Sequence, residues 1–291
     1  MRVGIIGTGM LGSAVCLNLL NSGFKITAYN RTLQKTQVIK DAGANIVKSP
    51  SEVAKNSDLV ITILTDAHAV NEISFGTDGI IKGKHKDLTV ADMSTVNPIG
   101  SRDISDRFAK HGISKLDVPV MGGPNVASTG DLVVMGSGDS DVFERFRPIF
   151  EVIGNKVFYL GKEGVAHYVK LAMNLQIALL ALALSEGLIL MEGAKIKPEI
   201  FLEVLNSTYF KTGMSKNKAY KMIHGVPNPT FTLKNLKKDI SIMVDTTEKL
   251  GIELPMIKKA LEIYQNADME GFGDIDYTGI ISYVRRMNRY D

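Results

Sequence analysis

The sequence predicts an α/β doubly wound sheet followed by a separate all-α domain. Three observations predict it. Short apolar runs alternate with helix-period segments through the first half of the chain. A glycine-punctuated turn, Gly7-Thr8-Gly9-Met10-Leu11-Gly12, joins the first apolar run to the first helical pattern. After Gly161 the strand-like runs stop and only helical patterns continue. Repeated βα units form layered parallel sheets, and a change of periodicity marks a second domain.

Taken in order, Met1–Ile6 is a short apolar strand, Ser13–Ser22 an apolar helix and Lys25–Tyr29 a second strand. Asn45-Ile46-Val47 is a short strand, and Ser51 is placed to cap a brief helix. Leu59–Leu64 and Leu88–Asp92 read as buried parallel strands. Pro98 sits where a first helical turn tolerates proline, opening a helix to His111. Lys115–Val120 and Asp131–Ser137 follow as strands, Ser140–Ile153 as a helix and Val157–Leu160 as the last strand. Beyond it, Val165–Gly193 reads as one long helix. Pro198–Leu205, Leu233–Leu250, Pro255–Ala267 and Thr278–Arg289 are helical as well. The expected domains are 1–162 and 163–291.

The first βαβ unit carries G-x-G-x-x-G at its strand-to-helix turn, which makes the sheet Rossmann-type and its ligand a dinucleotide. Gly7 permits the tight turn, Gly9 lets backbone approach a pyrophosphate, and Gly12 lets helix pack on strand. Thr8, Met10 and Leu11 complete the phosphate-facing turn, where free N–H groups and the helix dipole favour anions. A site for NAD usually ends the second strand with Asp or Glu on the ribose 2′-hydroxyl. Here Asn30-Arg31-Thr32 stands instead. A carboxylate repels a 2′-phosphate and a guanidinium binds it, so NADP is expected over NAD.

Composition narrows the remaining classes. The chain has 291 residues, is 45% hydrophobic and 22% charged, and carries a net charge of +3. That balance is ordinary for a soluble globular protein and gives no basic surface argument for nucleic acid. Cys16 is the only cysteine, which excludes a disulfide framework within the chain. It reads as a small buried apolar residue. The histidines lack the close spacing of a zinc site, so no metal is expected. Leu171–Leu190 has the length of a membrane span, but Asn174, Gln176, Ser185 and Glu186 interrupt it. A helix buried in a core or subunit interface is expected there, with no membrane partner. The six-residue opening strand leaves no room for a signal peptide, so a cytoplasmic location is expected.

Candidate chemistry outside the dinucleotide turn is weaker when each segment is taken alone. Gly122-Gly123, just after a strand, exposes N–H groups that can hold a carboxylate, yet an ordinary turn uses the same residues. Lys170 and Asn174 are four apart and share a helix face with Ala166, Met173 and Ile177. A lysine there either snorkels at the edge or, if buried, has its pKa lowered toward general acid–base use. His167, one turn from Lys170, reads as a supporting or structural residue. Lys237-Lys238-Asp239 reads by itself as a solvated helix face.

Together, and in this order, these segments resemble the β-hydroxyacid dehydrogenase family over nearly the whole chain. Gly7–Gly12 with Ala14 and Leu17-Asn18-Leu19 resembles its cofactor signature. Asp92-Met93-Ser94-Thr95 with Pro98 resembles its Asp-x-Ser-Thr turn, and Asp117–Gly123 its substrate loop. Gly164–Asn174 resembles its Gly-x-x-x-x-x-Lys-x-x-x-Asn stretch, and Lys238-Asp239 its late Lys-Asp pair. The resemblance implies an NADP-dependent oxidoreductase that interconverts a small β-hydroxyacid or 2-hydroxy acid and its semialdehyde or keto acid. It implies Lys170 as the catalytic acid/base, with Asn174, Met121, Gly122, Gly123 and Lys238 toward a carboxylate-bearing substrate. Thr95, Leu64, Thr65 and Lys238 are implied on the cofactor side. Met121 departs from the pattern, since many relatives have serine there, and a larger or less polar substrate tail is expected. Two alternatives share the architecture: an imine reductase, whose members generally lack the lysine, and a non-catalytic NADP-binding module. The apolar run Ile177–Leu184 predicts self-association as a homodimer or tetramer.

Overall fold

A computed structural model describes residues 1–225 and 228–288. The chain divides into two compact units, Met1–Lys170 and Leu171–Asp291. The first is built on six parallel strands: β1 (Arg2–Ile6), β2 (Lys25–Tyr29), β3 (Asn45–Ile46), β4 (Leu59–Thr62), β5 (Thr89–Asp92) and β6 (Ser114–Asp117). Their order is β3-β2-β1-β4-β5-β6, so the sheet reverses direction of build between β1 and β4. The period-two alternation of each strand feeds two cores. Val3, Ile5, Leu59 and Ile61 join one side, while Ile6, Val60 and Val90 join the other.

Helices of this unit are α1 (Met10–Asn21), α2 (Gln37–Asp41), α3 (Pro50–Lys55), α4 (Ala67–Phe75), α5 (Pro98–Ala109), α6 (Pro124–Ala127) and α7 (Ser140–Ile153). The first turns of α8 (Val165–Gly193) belong to it as well. Proline opens α3 and α5, with Ser49 and Asn97 capping them through side-chain oxygens. Asn18, buried on α1, donates to the carbonyls of Ala127 and Val152, which ties α1 to the chain after β6.

One expectation needs correction. Beside the six-stranded sheet the first unit holds a second, smaller one. β7 (Val120–Met121), β8 (Val133–Gly136) and β9 (Lys156–Tyr159) form a separate three-stranded sheet. The expected strand Lys115–Val120 is broken at Val118-Pro119. Proline cannot donate to a ladder, and Asp117 exchanges both backbone hydrogen bonds with Ser137 instead. By compactness the first unit runs on to Lys170. Backbone N–H groups of Gly164 and Ala166 are bonded to Asp117 and Ser137 side chains, which binds the start of α8 to the first unit.

The second unit is helical: the remainder of α8, α9 (Pro198–Asn206), α10 (Gly213–Asn217), α11 (Ala219–His224), α12 (Leu233–Lys249), α13 (Pro255–Ala267) and α14 (Ile280–Met287). The short helices α10 and α11 carry too few residues for a periodicity signal. Arg289, the expected end of the last helix, lies outside the described residues. The core gathers Leu182, Leu188, Leu236, Ile240, Tyr264 and Ile281. Gly187 lets the Phe201 ring of α9 lie against α8; a Cβ there would stand 2.8 Å from the ring. Helix α12 presents a stripe of Leu233, Leu236, Asp239, Ile240, Met243 and Val244 to this core. Asp239 is thereby a carboxylate on an apolar stripe.

Candidate active site

The dinucleotide turn follows β1 at the carboxyl edge of the sheet, where the strand order reverses. Ligands of open α/β sheets bind at such a point. Gly7 has a φ of 99°, and a Cβ there would meet the Ile63 carbonyl at 2.2 Å. A Cβ on Gly12 would stand 1.9 Å from the Gly7 carbonyl oxygen. Both glycines are therefore demanded by the protein itself. Gly9 is different: its backbone is extended, and a Cβ would meet nothing within 4 Å. Glycine at that position keeps space open for something outside the chain. Gly9 caps α1 with no side-chain bond, and no acidic residue occupies the first turn. A pyrophosphate fits these features.

Around the turn, Asn30 accepts from the Thr8 N–H at 3.0 Å and donates to the Thr32 carbonyl at 2.9 Å. Asn30 thus braces the glycine turn against the end of β2. Arg31 and Thr32 are exposed beside it, and Met10 is exposed while Leu11 is half-buried. On the next strands Asp92, fully buried, accepts from Thr62 Oγ1 at 2.8 Å and from the Ser94 N–H at 3.0 Å. Ser94 Oγ in turn accepts from the Leu64 N–H at 3.0 Å. This chain of bonds sets the loops that carry Leu64-Thr65 and Thr95 at the same sheet edge as the glycine turn. Thr65 is exposed and Thr95 half-buried.

Lys170 does not snorkel. Its Nζ donates to the Val120 carbonyl at 2.8 Å and lies 3.1 Å from Met121 Sδ. The catalytic candidate and the loop candidate are thus brought together. Gly122, with a φ of 126°, is required by the backbone of that loop, and Gly123 precedes α6. The start of α8 is held by a buried polar cluster around Asp117. Its Oδ1 accepts from Ser101 Oγ at 2.6 Å and from Lys115 Nζ. His167 Nε2 lies 3.2 Å from the same oxygen. Oδ2 accepts from the Gly164 N–H at 2.6 Å and from Ser137 Oγ at 3.4 Å. Burial pushes the Asp117 carboxyl up, but the charges of Lys115 and His167 outweigh it and hold it well below the usual carboxylate range. It is therefore ionised throughout the neutral range.

In the helical unit, Asn174 is buried and its Nδ2 donates to Asp239 Oδ2 at 2.7 Å. Lys238 Nζ pairs with Asp239 Oδ1 at 2.8 Å. Asn174 Oδ1 is buried without a hydrogen-bond partner among the described residues. A buried amide oxygen left so is costly, and it is a natural acceptor for a hydroxyl or ammonium.

Sequence reading assigned no individual role to Asp239, Lys115 or Asp117. Asp239 read as part of a solvated face; its place on the stripe of α12, between Leu236 and Ile240, was the available signal. Lys115 and Asp117 alternate on one strand face, which places both charges on the same side. His167, rated as supporting, reaches Asp117. Burial of Cys16 pushes its thiol up to about 12, in keeping with an inert core residue. Among the described residues no cluster of His, Cys, Asp or Glu could hold a metal ion.

The glycine turn at the switch point of a six-stranded parallel sheet, joined to a helical domain, defines an NAD(P)-dependent oxidoreductase. Residues 2–161 match the NAD-binding domain of 6-phosphogluconate dehydrogenase, and residues 164–284 match the NAD-binding domain of NADP-dependent 3-hydroxyisobutyrate dehydrogenase. Glyoxylate/succinic semialdehyde reductase 1 of Arabidopsis thaliana is 32% identical over 285 residues, covering 98% of this chain and 99% of that one. The chain belongs to the β-hydroxyacid dehydrogenase family. Solved structures share its fold. The 3-hydroxyisobutyrate dehydrogenase of Mycobacterium tuberculosis with L-serine aligns at a TM-score of 0.86 and 22% identity, covering 98% of this chain and all of that one. A protein described as Psf3 in complex with NADP+ and 2-OPP aligns at 0.90 and 20% identity, covering 97% of this chain and 99% of that one.

Proposed function

We propose that this chain is an NADPH-dependent reductase of a small carboxylate-bearing aldehyde or keto acid, of the glyoxylate or semialdehyde type, with Lys170 as general acid. The same site runs in reverse on the corresponding hydroxy acid. The observation that carries this reading is the Lys170 amine, half-buried and directed at the Val120 carbonyl beside the glycine loop. A bound nicotinamide dinucleotide supplies or accepts the hydride. Lys170 Nζ holds the proton that the carbonyl oxygen takes as it becomes a hydroxyl; in oxidation the neutral amine removes that proton. The loop at Met121, Gly122 and Gly123 receives the substrate's carboxylate end, and Asn174 and Lys238 contribute to substrate binding. Preference for NADPH rests on Arg31, exposed at the end of β2 where a carboxylate would favour NAD. Self-association is part of the same reading and rests on the apolar surface of the helical unit.

The test is a panel assay of NADPH oxidation with glyoxylate, succinic semialdehyde, tartronate semialdehyde and methylmalonate semialdehyde. At least one substrate should turn over. Lys170→Ala should lower kcat on it by ~10²–10⁴-fold while cofactor binding survives. A variant that keeps more than about a tenth of wild-type turnover would remove Lys170 from the acid–base role.

A further inference from the structure

We propose that Asp117 is a positioning residue for Lys170, fixing the first turn of α8 against the loop that receives the lysine amine. The proposal rests on the reading of Lys170 as the acid/base. Asp117 ends β6, and its chain runs directly into Val118, Pro119 and Val120, whose carbonyl accepts from Lys170 Nζ. Its side chain reaches the other partner of that contact. Oδ2 holds the N–H of Gly164, immediately before α8, and Oδ1 faces His167 one turn before Lys170. Ser137, paired with Asp117 through backbone bonds, accepts from the Ala166 N–H through Oγ at 3.2 Å. One carboxylate therefore ties together both ends of the Lys170–Val120 hydrogen bond.

The energetics favour a geometric role over a stabilising one. Lys115, Asp117, His167, Ser101 and Ser137 are all buried, and the Lys115 and Asp117 side chains are fully so. Buried ion pairs repay little of their desolvation, and apolar replacements are often as stable. What a satisfied polar cluster supplies is a single arrangement, because each donor direction is specified. A helix held only by apolar contacts could slide or rotate slightly. Displacement of a catalytic group by about 1 Å costs on the order of 10²-fold in rate. Two backbone hydrogen bonds, at Gly164 and Ala166, and the His167 ring 3.2 Å from Asp117 hold the start of α8 and remove that freedom.

The experiment uses Asp117→Asn in the full-length enzyme, with its best substrate from the panel. The expected result is a fall in kcat of about 10–100-fold, with KM for NADPH within about twofold of wild type. Chemistry should become more rate-limiting, so the primary isotope effect with deuterated NADPH should rise. In the double variant Asp117→Asn/Lys170→Ala, rate should equal that of Lys170→Ala alone, since Asp117 acts through the lysine. A folded Asp117→Asn enzyme with wild-type kcat overturns the proposal, and so do losses that multiply in the double variant. If Asp117→Asn does not fold, Ser137→Ala decides, because it keeps every charge and removes only the Ser137 hydroxyl, with its bonds to the Ala166 N–H and to Asp117 Oδ2. It should lower kcat several-fold and raise the isotope effect; unchanged values overturn the proposal. Full activity of Lys170→Ala would instead refute the acid–base reading beneath it.

Discussion

Arg31 and Met121 are the residues to which the proposed function assigns the choice of cofactor and of substrate tail. Arg31 stands exposed after β2, beside an Asn30 already committed to Thr8 and Thr32. In the proposed reading Arg31, and not Asn30, faces the 2′-position of the ribose. Arg31→Asp should shift the kcat/KM ratio from NADPH toward NADH, since the change removes a charge-assisted contact and adds a repulsive carboxylate. Steady-state kinetics with both cofactors checks it, and a wild type that already prefers NADH would refute the assignment. Met121 places its thioether 3.1 Å from the Lys170 amine, where a serine would offer a hydroxyl. Met121→Ser should improve kcat/KM for glyoxylate relative to longer, less polar aldehydes, by roughly tenfold in the ratio. An unchanged ratio across the substrate panel would show that Met121 does not select the substrate tail.

At the scale of elements, the glycine turn separates residues kept for the fold from residues kept for the ligand. Gly12 lies against the Gly7 carbonyl, and Gly7 against the Ile63 carbonyl, so a side chain at either must push backbone aside. Gly9 has open space and an ordinary extended backbone. Gly12→Ala should therefore lower the melting temperature measurably, while Gly9→Ala should leave it within error and weaken cofactor binding at least several-fold. Calorimetry with a fluorescence titration of NADPH reads both quantities. Equal affinity in Gly9→Ala and wild type would mean that no phosphate approaches that backbone. The three glycines share one motif in the sequence, and only distances to their neighbours divide them. The broken strand after β6 has a similar explanation. Pro119 stands inside the run read as one strand, and the partner that takes over Asp117's backbone bonds, Ser137, comes from a distant β-strand region.

For the whole molecule, the helical unit leaves much apolar surface uncovered. In the run Ile177–Leu184, Ala178, Ala181, Leu182 and Leu184 are buried, Leu179 and Leu180 half-buried, and Ala183 exposed. Further along, Leu190 is 66% exposed, and α9 buries only Leu202 while Ile200 and Val204 stay in the open. Tyr209 and Phe210 are also exposed. The proposed self-association would cover this apolar surface, and two-fold assemblies are the commonest way for identical chains to do so. Light scattering on dilute protein should give at least a dimer mass. A monomer that stays fully active would refute this assembly.

Periodicity and glycine spacing in the sequence alone determined the Rossmann-type sheet, the glycine turn and the length of α8, because those signals are local; the family came from the resemblance of several motifs in order along the chain. The chain could also nominate Lys170, Asn174 and Lys238 through motif order. It could not say that Lys170 would turn to the Val120 carbonyl rather than to water, or that Asn174 would find Asp239. Nor could it show that Asp117 would collect donors from Ser101, Lys115, Ser137 and Gly164, with the His167 ring beside it. Those contacts join residues far apart along the chain. A pattern within one window describes which face a residue occupies, whereas burial decides which charges must find one another, and burial exists only once the elements have packed.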